Sequence, residues 1–196
     1  MEIRKPSSLV YYDNAVNEYF GKIVDEWFKT NYLQNRLFSV SNAQKVTSEN
    51  ARKVVHFGYS YNYTSRKANE KIEDMPLIVQ ILKSIIPIVW KDAPPNITQK
   101  LNQCIINRYL PGQGIGSHID KTDDFGDTIV CFTFGSGREM EFSKGNDIFK
   151  VYTKSLSMYV MVKDARYDWK HAMRQKKKDD GIPRGTVYSI TFREVL

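Results

Sequence analysis

The sequence predicts an α+β fold in which N-terminal helices pack on a double-layered sheet, a sandwich or a jelly roll, with the jelly roll, also called a double-stranded β-helix, taken as the expectation. Two patterns predict it. Helical spacing of apolar residues is confined to the first half of the chain, and short apolar runs broken by Gly, Asn and Asp turns fill the second half. The 196 residues contain no Ser/Gly-rich or Pro-rich linker, so a single domain is expected. Within that domain, residues 1–50 are read as the helical part, 51–70 as a lid over the site and 101–196 as the jelly-roll core.

The elements follow in order. Between residues 14 and 32, Val16, Tyr19, Phe20, Ile23, Val24, Trp27 and Phe28 share one helix face, with Lys22, Asp25, Glu26 and Lys29 opposite. This helix is expected to lay its aromatic stripe on the sheet. A second helix starts at Pro76, a favoured first-turn residue, and runs through Leu77, Ile78, Ile81, Leu82 and Ile85 until Pro87 interrupts it. It is apolar around more of its circumference and should be more buried. Strands are predicted over 102–110, 127–134, 138–143, 147–153, 156–163 and 186–195. A jelly roll points side chains from several strands into one interior, so that residues far apart in sequence meet there.

The formal charge of +7 and pI near 9.3 favour an anionic partner, most simply nucleic acid. Cys104 and Cys131 lie in apolar runs, which points to buried free thiols in a reducing compartment rather than a disulfide or zinc pair. Residues 1–14 lack the apolar region and cleavage site of a signal peptide. The most apolar run, 76–90, is broken by Gln80, Lys83, Ser84 and Pro87 and is shorter than the ~20 residues a membrane span needs. A cytoplasmic or nuclear protein is expected.

The most informative segment runs from Asn107 to Asp120, where a glycine-rich turn precedes His118 and Asp120. Two residues apart on a strand, an imidazole and a carboxylate share a face and can take adjacent positions on a divalent metal. A further histidine completes a facial triad with open opposite positions, an arrangement typical of iron(II) oxygenases. The chain offers His56 and His171. His171 is preferred, because it follows a β-like run ending in a polar turn, whereas His56 sits among aromatic and basic residues before the metal pair.

Several pieces together resemble the AlkB family of iron(II)- and 2-oxoglutarate-dependent dioxygenases over about residues 52–196. They are Asn107-Arg108-Tyr109, Pro111-Gly112-x-Gly114, His118-x-Asp120, Trp169-Lys170-His171 and the terminal Ser189-Ile190-Thr191-Phe192-Arg193. The resemblance implies Fe(II) held by His118, Asp120 and His171, which carry the catalysis. It also implies 2-oxoglutarate bound by Asn107, Tyr109 and Arg193, and O2 as oxidant. The family's terminal R-x5-R ends at Arg193, but its first position is Val187. Either Arg184, three residues earlier, or Tyr109 with another cation is expected to hold the co-substrate's carboxylate.

The segment 52–63 alternates cations and rings, with Arg52, Lys53, Phe57, Tyr59 and Tyr61 as candidate substrate contacts and Arg66 and Lys67 close behind. Rings stack on an extruded base while Arg and Lys hold phosphates, so beside such a core the segment reads as a nucleotide-recognition lid. The bland alternative is a hairpin whose aromatics fill the core. A basic run of Lys170, Arg174, Lys176, Lys177 and Lys178 follows the metal motif and suits a phosphate backbone, or is a solvated loop.

His56-Phe57-Gly58-Tyr59, with 166–171 and Arg184-Gly185, looks most like the AlkB branch that hydroxylates a modified wobble uridine in tRNA. The expectation is oxidation of an alkylated or modified nucleobase, in RNA, possibly tRNA, rather than DNA. Its rivals are a protein hydroxylase or demethylase, and a catalytically weak RNA-binding protein.

Overall fold

Strict alternation along the long central strands sorts their side chains into two layers, and the rest of the fold covers those layers. In the computed structural model, residues 4–39, 51–65, 67–68 and 70–196 are described. The elements begin with β1 (Leu9–Tyr12), α1 (Glu18–Phe28), α2 (Asn31–Gln34), β2 (Phe38–Ser39), β3 (Lys53–Phe57), α3 (Leu77–Val89) and α4 (Ile97–Lys100). They continue with β4 (Gln103–Tyr109), β5 (Ile115–His118), β6 (Phe125–Gly135), β7 (Arg138–Lys144), β8 (Asp147–Thr153), β9 (Met158–Met161) and α5 (Lys163–Tyr167). The last are β10 (Lys170–Met173), β11 (Lys178–Asp179), β12 (Ile182–Pro183) and β13 (Val187–Val195).

A seven-stranded sheet, ordered β1-β9-β6-β13-β4-β3-β2, faces a four-stranded sheet, ordered β5-β10-β7-β8, and β11 pairs with β12. Neighbours run antiparallel. On one face of the large sheet, Cys104, Ile106, Val130, Phe132, Ile190 and Phe192 join Val24 and Phe28 of α1 and Val79, Leu82 and Ile86 of α3 in one apolar core. On the other face, Tyr109, Ile129, Cys131 and Val187 meet Met140 and Phe142 of β7 and Met173 of β10. This is the helix-covered jelly roll read from the sequence.

Several boundaries differ from expectation for local reasons. The first helix is shorter than 14–32, because Asn17 caps it with its side-chain oxygen accepting from Phe20 N at 2.8 Å. Strand β1 was not anticipated and pairs along β9. Pro87 sits inside α3 instead of ending it. Only Ile88 and Val89 follow in the helix, so the missing N–H removes little. The strand expected over 156–163 is β9 alone, after which α5 begins. The lid expected over 51–70 is half sheet, since β3 lies hydrogen-bonded between β4 and β2. The expected positions at 40–50 and at Arg66 lie outside the described residues.

Cys104 and Cys131 are buried free thiols, and burial pushes both upward in pKa. No helix among the described residues is long and apolar enough to cross a membrane.

Candidate metal centre

Strands β5 and β10 pair so that His118 lies directly opposite His171, with ring centroids 4.3 Å apart. Asp120 follows β5 in the turn rather than on the strand, so the shared-face argument holds for the cross-strand histidines and not for His118 and Asp120. The turn is pinned from α5. Arg166 donates to the carbonyls of Asp120 at 2.8 Å, Lys121 at 3.2 Å, Phe125 at 3.1 Å and Gly126 at 3.1 Å. Sequence reasoning missed this role of Arg166, because the four carbonyls meet it only through the crossing of the chain.

The ligand atoms of His118, Asp120 and His171 all lie within 4.8 Å of one another. Asp120 Oδ2 is 3.4 Å from His171 Nε2. His118 Nδ1 is 2.8 Å from the Gly116 carbonyl, and donation there leaves the Nε2 lone pair free. Burial, followed by the neighbouring His118, holds His171 down at about 4 despite Asp120. For Asp120 burial pushes upward, but Arg193 and the two histidines overcome it and hold the carboxyl at about 2. At neutral pH His171 is therefore a neutral nitrogen donor and Asp120 a carboxylate, and with His118 they line one side of a cavity. Those residue types and spacings fit a divalent first-row transition metal with positions left open.

The cavity is about 610 Å³ and is lined by the triad together with Arg52, Tyr61, Tyr63, Asn107, Tyr109 and Arg193. Alternation places them. Asn107 and Tyr109 on β4, and Ser189, Thr191 and Arg193 on β13, sit at inner-face positions two apart. Asn107 Oδ1 accepts from Arg52 Nε at 3.0 Å. Arg193 Nη1 reaches Asp120 Oδ1 at 2.6 Å, its guanidinium lies 4.0 Å from the Phe125 ring centroid, and its buried Nε has no partner. The Tyr109 hydroxyl has no hydrogen-bond partner among the described residues, and burial pushes it up to about 12. An unpaired guanidinium N–H, a free phenol and an amide in one pocket fit a small keto-acid anion.

Other expected site residues lie elsewhere. Arg184 is not at the cavity: its guanidinium holds Asp179 through Nε at 2.8 Å and Nη2 at 2.5 Å, and Nη1 donates to the Arg174 and Lys176 carbonyls. Phe57 is wholly buried in the helix-side core, so it cannot stack on a ligand at the cavity. Lys53 is turned by alternation to the side of Val55 and Phe57, away from Arg52 and Val54. Tyr59 packs against Ala68, Phe125 and Val195. Lys176 and Lys177 are surface residues outside the cavity. In the basic run, Arg174 pairs with Glu141 and Lys176 with Glu139. Lys177 and Lys178 have no carboxylate partner among the described residues. Tyr63 lines the cavity although sequence reading did not single it out as a contact.

Comparison with known proteins agrees with this geometry. The 2OG-Fe(II) oxygenase superfamily matches residues 13–193. An uncharacterized protein of Acanthamoeba polyphaga mimivirus is 42% identical over 107 residues, covering 51% of this chain and 51% of that protein. The mouse tRNA (carboxymethyluridine(34)-5-O)-methyltransferase ALKBH8 is 33% identical over 132 residues, covering 65% of this chain and 19% of that protein. The chain thus spans about half the length of the first relative and about a fifth of the second. The solved structure of OsALKBH1 superposes with a TM-score of 0.67 at 16% identity, over 98% of this chain and 99% of that one. At that identity the likeness shows the fold.

Proposed function

The chain belongs to the AlkB family of the 2OG-Fe(II) oxygenase superfamily, and from that premise we propose that it oxidises an alkylated or modified base in RNA. The observation that carries this reading is the wall formed by Arg52, Tyr61 and Tyr63, which lines the same cavity as the His118, Asp120 and His171 cluster. Tyr61 and Tyr63 lie edge to face with ring centroids 5.0 Å apart, and the Arg52 guanidinium stands 5.7 Å from the Tyr63 centroid. Aromatic faces beside a cation suit an unstacked base and its phosphate. The mouse relative ALKBH8 is a methyltransferase of a tRNA uridine, which supports RNA over DNA.

In this reading His118, Asp120 and His171 hold iron(II), while Asn107, Tyr109 and Arg193 bind 2-oxoglutarate. Held by these residues, iron(II) and 2-oxoglutarate would supply O2-dependent hydroxylation of a substrate C–H bond, coupled to conversion of the keto acid to succinate and CO2. The chain's own contribution is placement. Arg193 fixes one oxygen of Asp120, Arg166 fixes the backbone of the turn that carries it, and Arg52 orients Asn107. Tyr61 and Tyr63 position the base and limit water at the mouth. Outside the cavity, Lys177 and Lys178 supply free positive charge for the phosphate backbone.

Two measurements test the reading. An anaerobic titration of the iron(II)-loaded protein with 2-oxoglutarate should give a saturable visible charge-transfer band that is lost in His118→Ala. Incubation with tRNA, single-stranded RNA and single-stranded DNA, followed by nucleoside mass spectrometry, should show a base oxidised in RNA, and Tyr61→Ala/Tyr63→Ala should abolish it with metal affinity unchanged. A normal band with no change in any nucleoside would move the assignment to a protein substrate.

A further inference from the structure

The co-substrate reading leaves one chemical gap, because Val187 stands where a cation would hold the far carboxylate of 2-oxoglutarate and Arg184 is committed to Asp179. Arg138, the first residue of β7, is wholly buried. It lies on the inner face, two positions before the cavity-lining Met140. Its Nη2 donates to the Gly185 carbonyl at 2.7 Å, while Nε and Nη1 are buried with no partner. Among the described residues no carboxylate pairs with it.

A guanidinium with two unpaired N–H groups in the dry interior is strongly disfavoured unless an anion arrives to meet it. Burial, followed by the positive Arg184 nearby, pulls it down to about 10, the direction expected of a cation short of negative charge.

Its position is also the right one. Gly185, which anchors Arg138, is two residues before Val187, and Val187 pairs with Tyr109 on one side and Gly135 on the other. Arg138 therefore stands at the Val187 end of the interior, beside the Tyr109 wall, and its charge is felt at the Tyr109 hydroxyl. That hydroxyl is itself without a hydrogen-bond partner among the described residues. Resting on the co-substrate reading above, we infer that Arg138, from the smaller sheet, takes the role left open at Val187 and with the Tyr109 hydroxyl binds the far carboxylate of the keto acid. The cation has moved to the facing strand while the carboxylate it serves stays in place. Arg138 is a binding residue that defines which keto acid fits, since its fork is satisfied only by a ligand with a second carboxylate.

The test compares 2-oxoglutarate with 2-oxobutyrate, which chelates the metal equally but lacks the far carboxylate. Affinities are read from the charge-transfer band of the anaerobic iron(II) protein, with no turnover. The wild type should prefer 2-oxoglutarate by at least tenfold. Arg138→Met should lose at least tenfold in 2-oxoglutarate affinity, keep 2-oxobutyrate affinity within twofold and bind metal normally. The double variant Arg138→Met/Val187→Arg should recover most of the loss. Should Arg138→Met fail to fold, Arg138→Gln, which keeps a donor for the Gly185 carbonyl, carries the same expectation. Equal affinity of the wild type for both acids, or undiminished 2-oxoglutarate binding in the folded variant, overturns the inference while leaving the oxygenase reading intact. A wild type that gives no band with either acid removes the co-substrate reading itself.

Discussion

Arg193 Nη1 binds Asp120 Oδ1 at 2.6 Å while His171 Nε2 lies 3.4 Å from Oδ2, so the arginine decides which oxygen of the carboxylate remains for a metal. Partners of this kind set the rotamer of a ligand and typically change metal affinity about 10–100-fold when removed. Arg193→Met, close in volume and uncharged, should weaken cobalt(II) binding by about that factor. Titration of the visible cobalt absorption checks it. Undiminished affinity would mean that the turn held by Arg166 orients Asp120 unaided.

The glycines of the turn before His118 are not equivalent. A Cβ on Gly114 would stand 2.1 Å from the Met173 carbonyl, whereas one on Gly116 meets nothing within 4 Å. Met173 ends β10, the strand that carries His171. Gly114→Ala should push β5 away from β10 and lower metal affinity at least about tenfold, since ligand geometry sets affinity. Gly116→Ala should leave it within about twofold, as expected of a site with open space. Parallel metal titrations of the two variants decide the point, and equal losses would contradict it.

Much of this was legible in the sequence, for physical reasons that also mark where legibility ended. Period-two alternation and turn residues located the long strands, while Asn107, Tyr109 and Arg193 came from the resemblance to the AlkB family, and the strands bring them to the inner face. The metal cluster was legible because its residue types are rare in this chain, which has three histidines. What alternation alone does not give is which face is inward. That is why Phe57 and Lys53 read as ligand contacts although β3 turns them toward the helices. Buried arginines were hardest. Arg138, Arg166 and Arg184 look like surface residues by type, and only the chain's crossing in three dimensions supplies the carbonyls that accept from them.

Arg184 and Asp179 form a buried, two-pronged pair, and Arg184 also satisfies the Arg174 and Lys176 carbonyls. Removing one member of such a pair strands its partner, typically at about 3–5 kcal/mol. Arg184→Ala should lower the unfolding free energy by roughly that amount, yet the folded protein should bind 2-oxoglutarate as wild type does. Urea unfolding and the charge-transfer titration, run on the same preparation, separate the two effects. A selective loss of keto-acid affinity would return Arg184 to the site.

His56 links acid stability to the cavity wall. The Tyr61 N–H donates to its Nδ1 at 3.1 Å, which leaves the Nε2 proton facing the Tyr63 hydroxyl at 3.2 Å. Burial, followed by the charges of Arg193 and Arg52, lowers its pKa from 6.5 to about 4. The folded state thus resists a proton that the unfolded chain accepts. The contribution is fully present above pH 6.5 and is lost as pH falls from 6.5 through 4, amounting to about 3 kcal/mol. His56→Asn keeps an acceptor for the Tyr61 N–H but does not titrate in this range. The unfolding free energy of the metal-free wild type should therefore fall more steeply than the variant's between pH 6.5 and 4, by about that amount. Protonation at Nδ1 in the folded protein would also break the bond that sets Tyr61, so RNA binding by the wild type should weaken as pH falls through about 4 while that of the variant holds. Parallel stability curves for the two proteins would show that His56 is not the group being titrated.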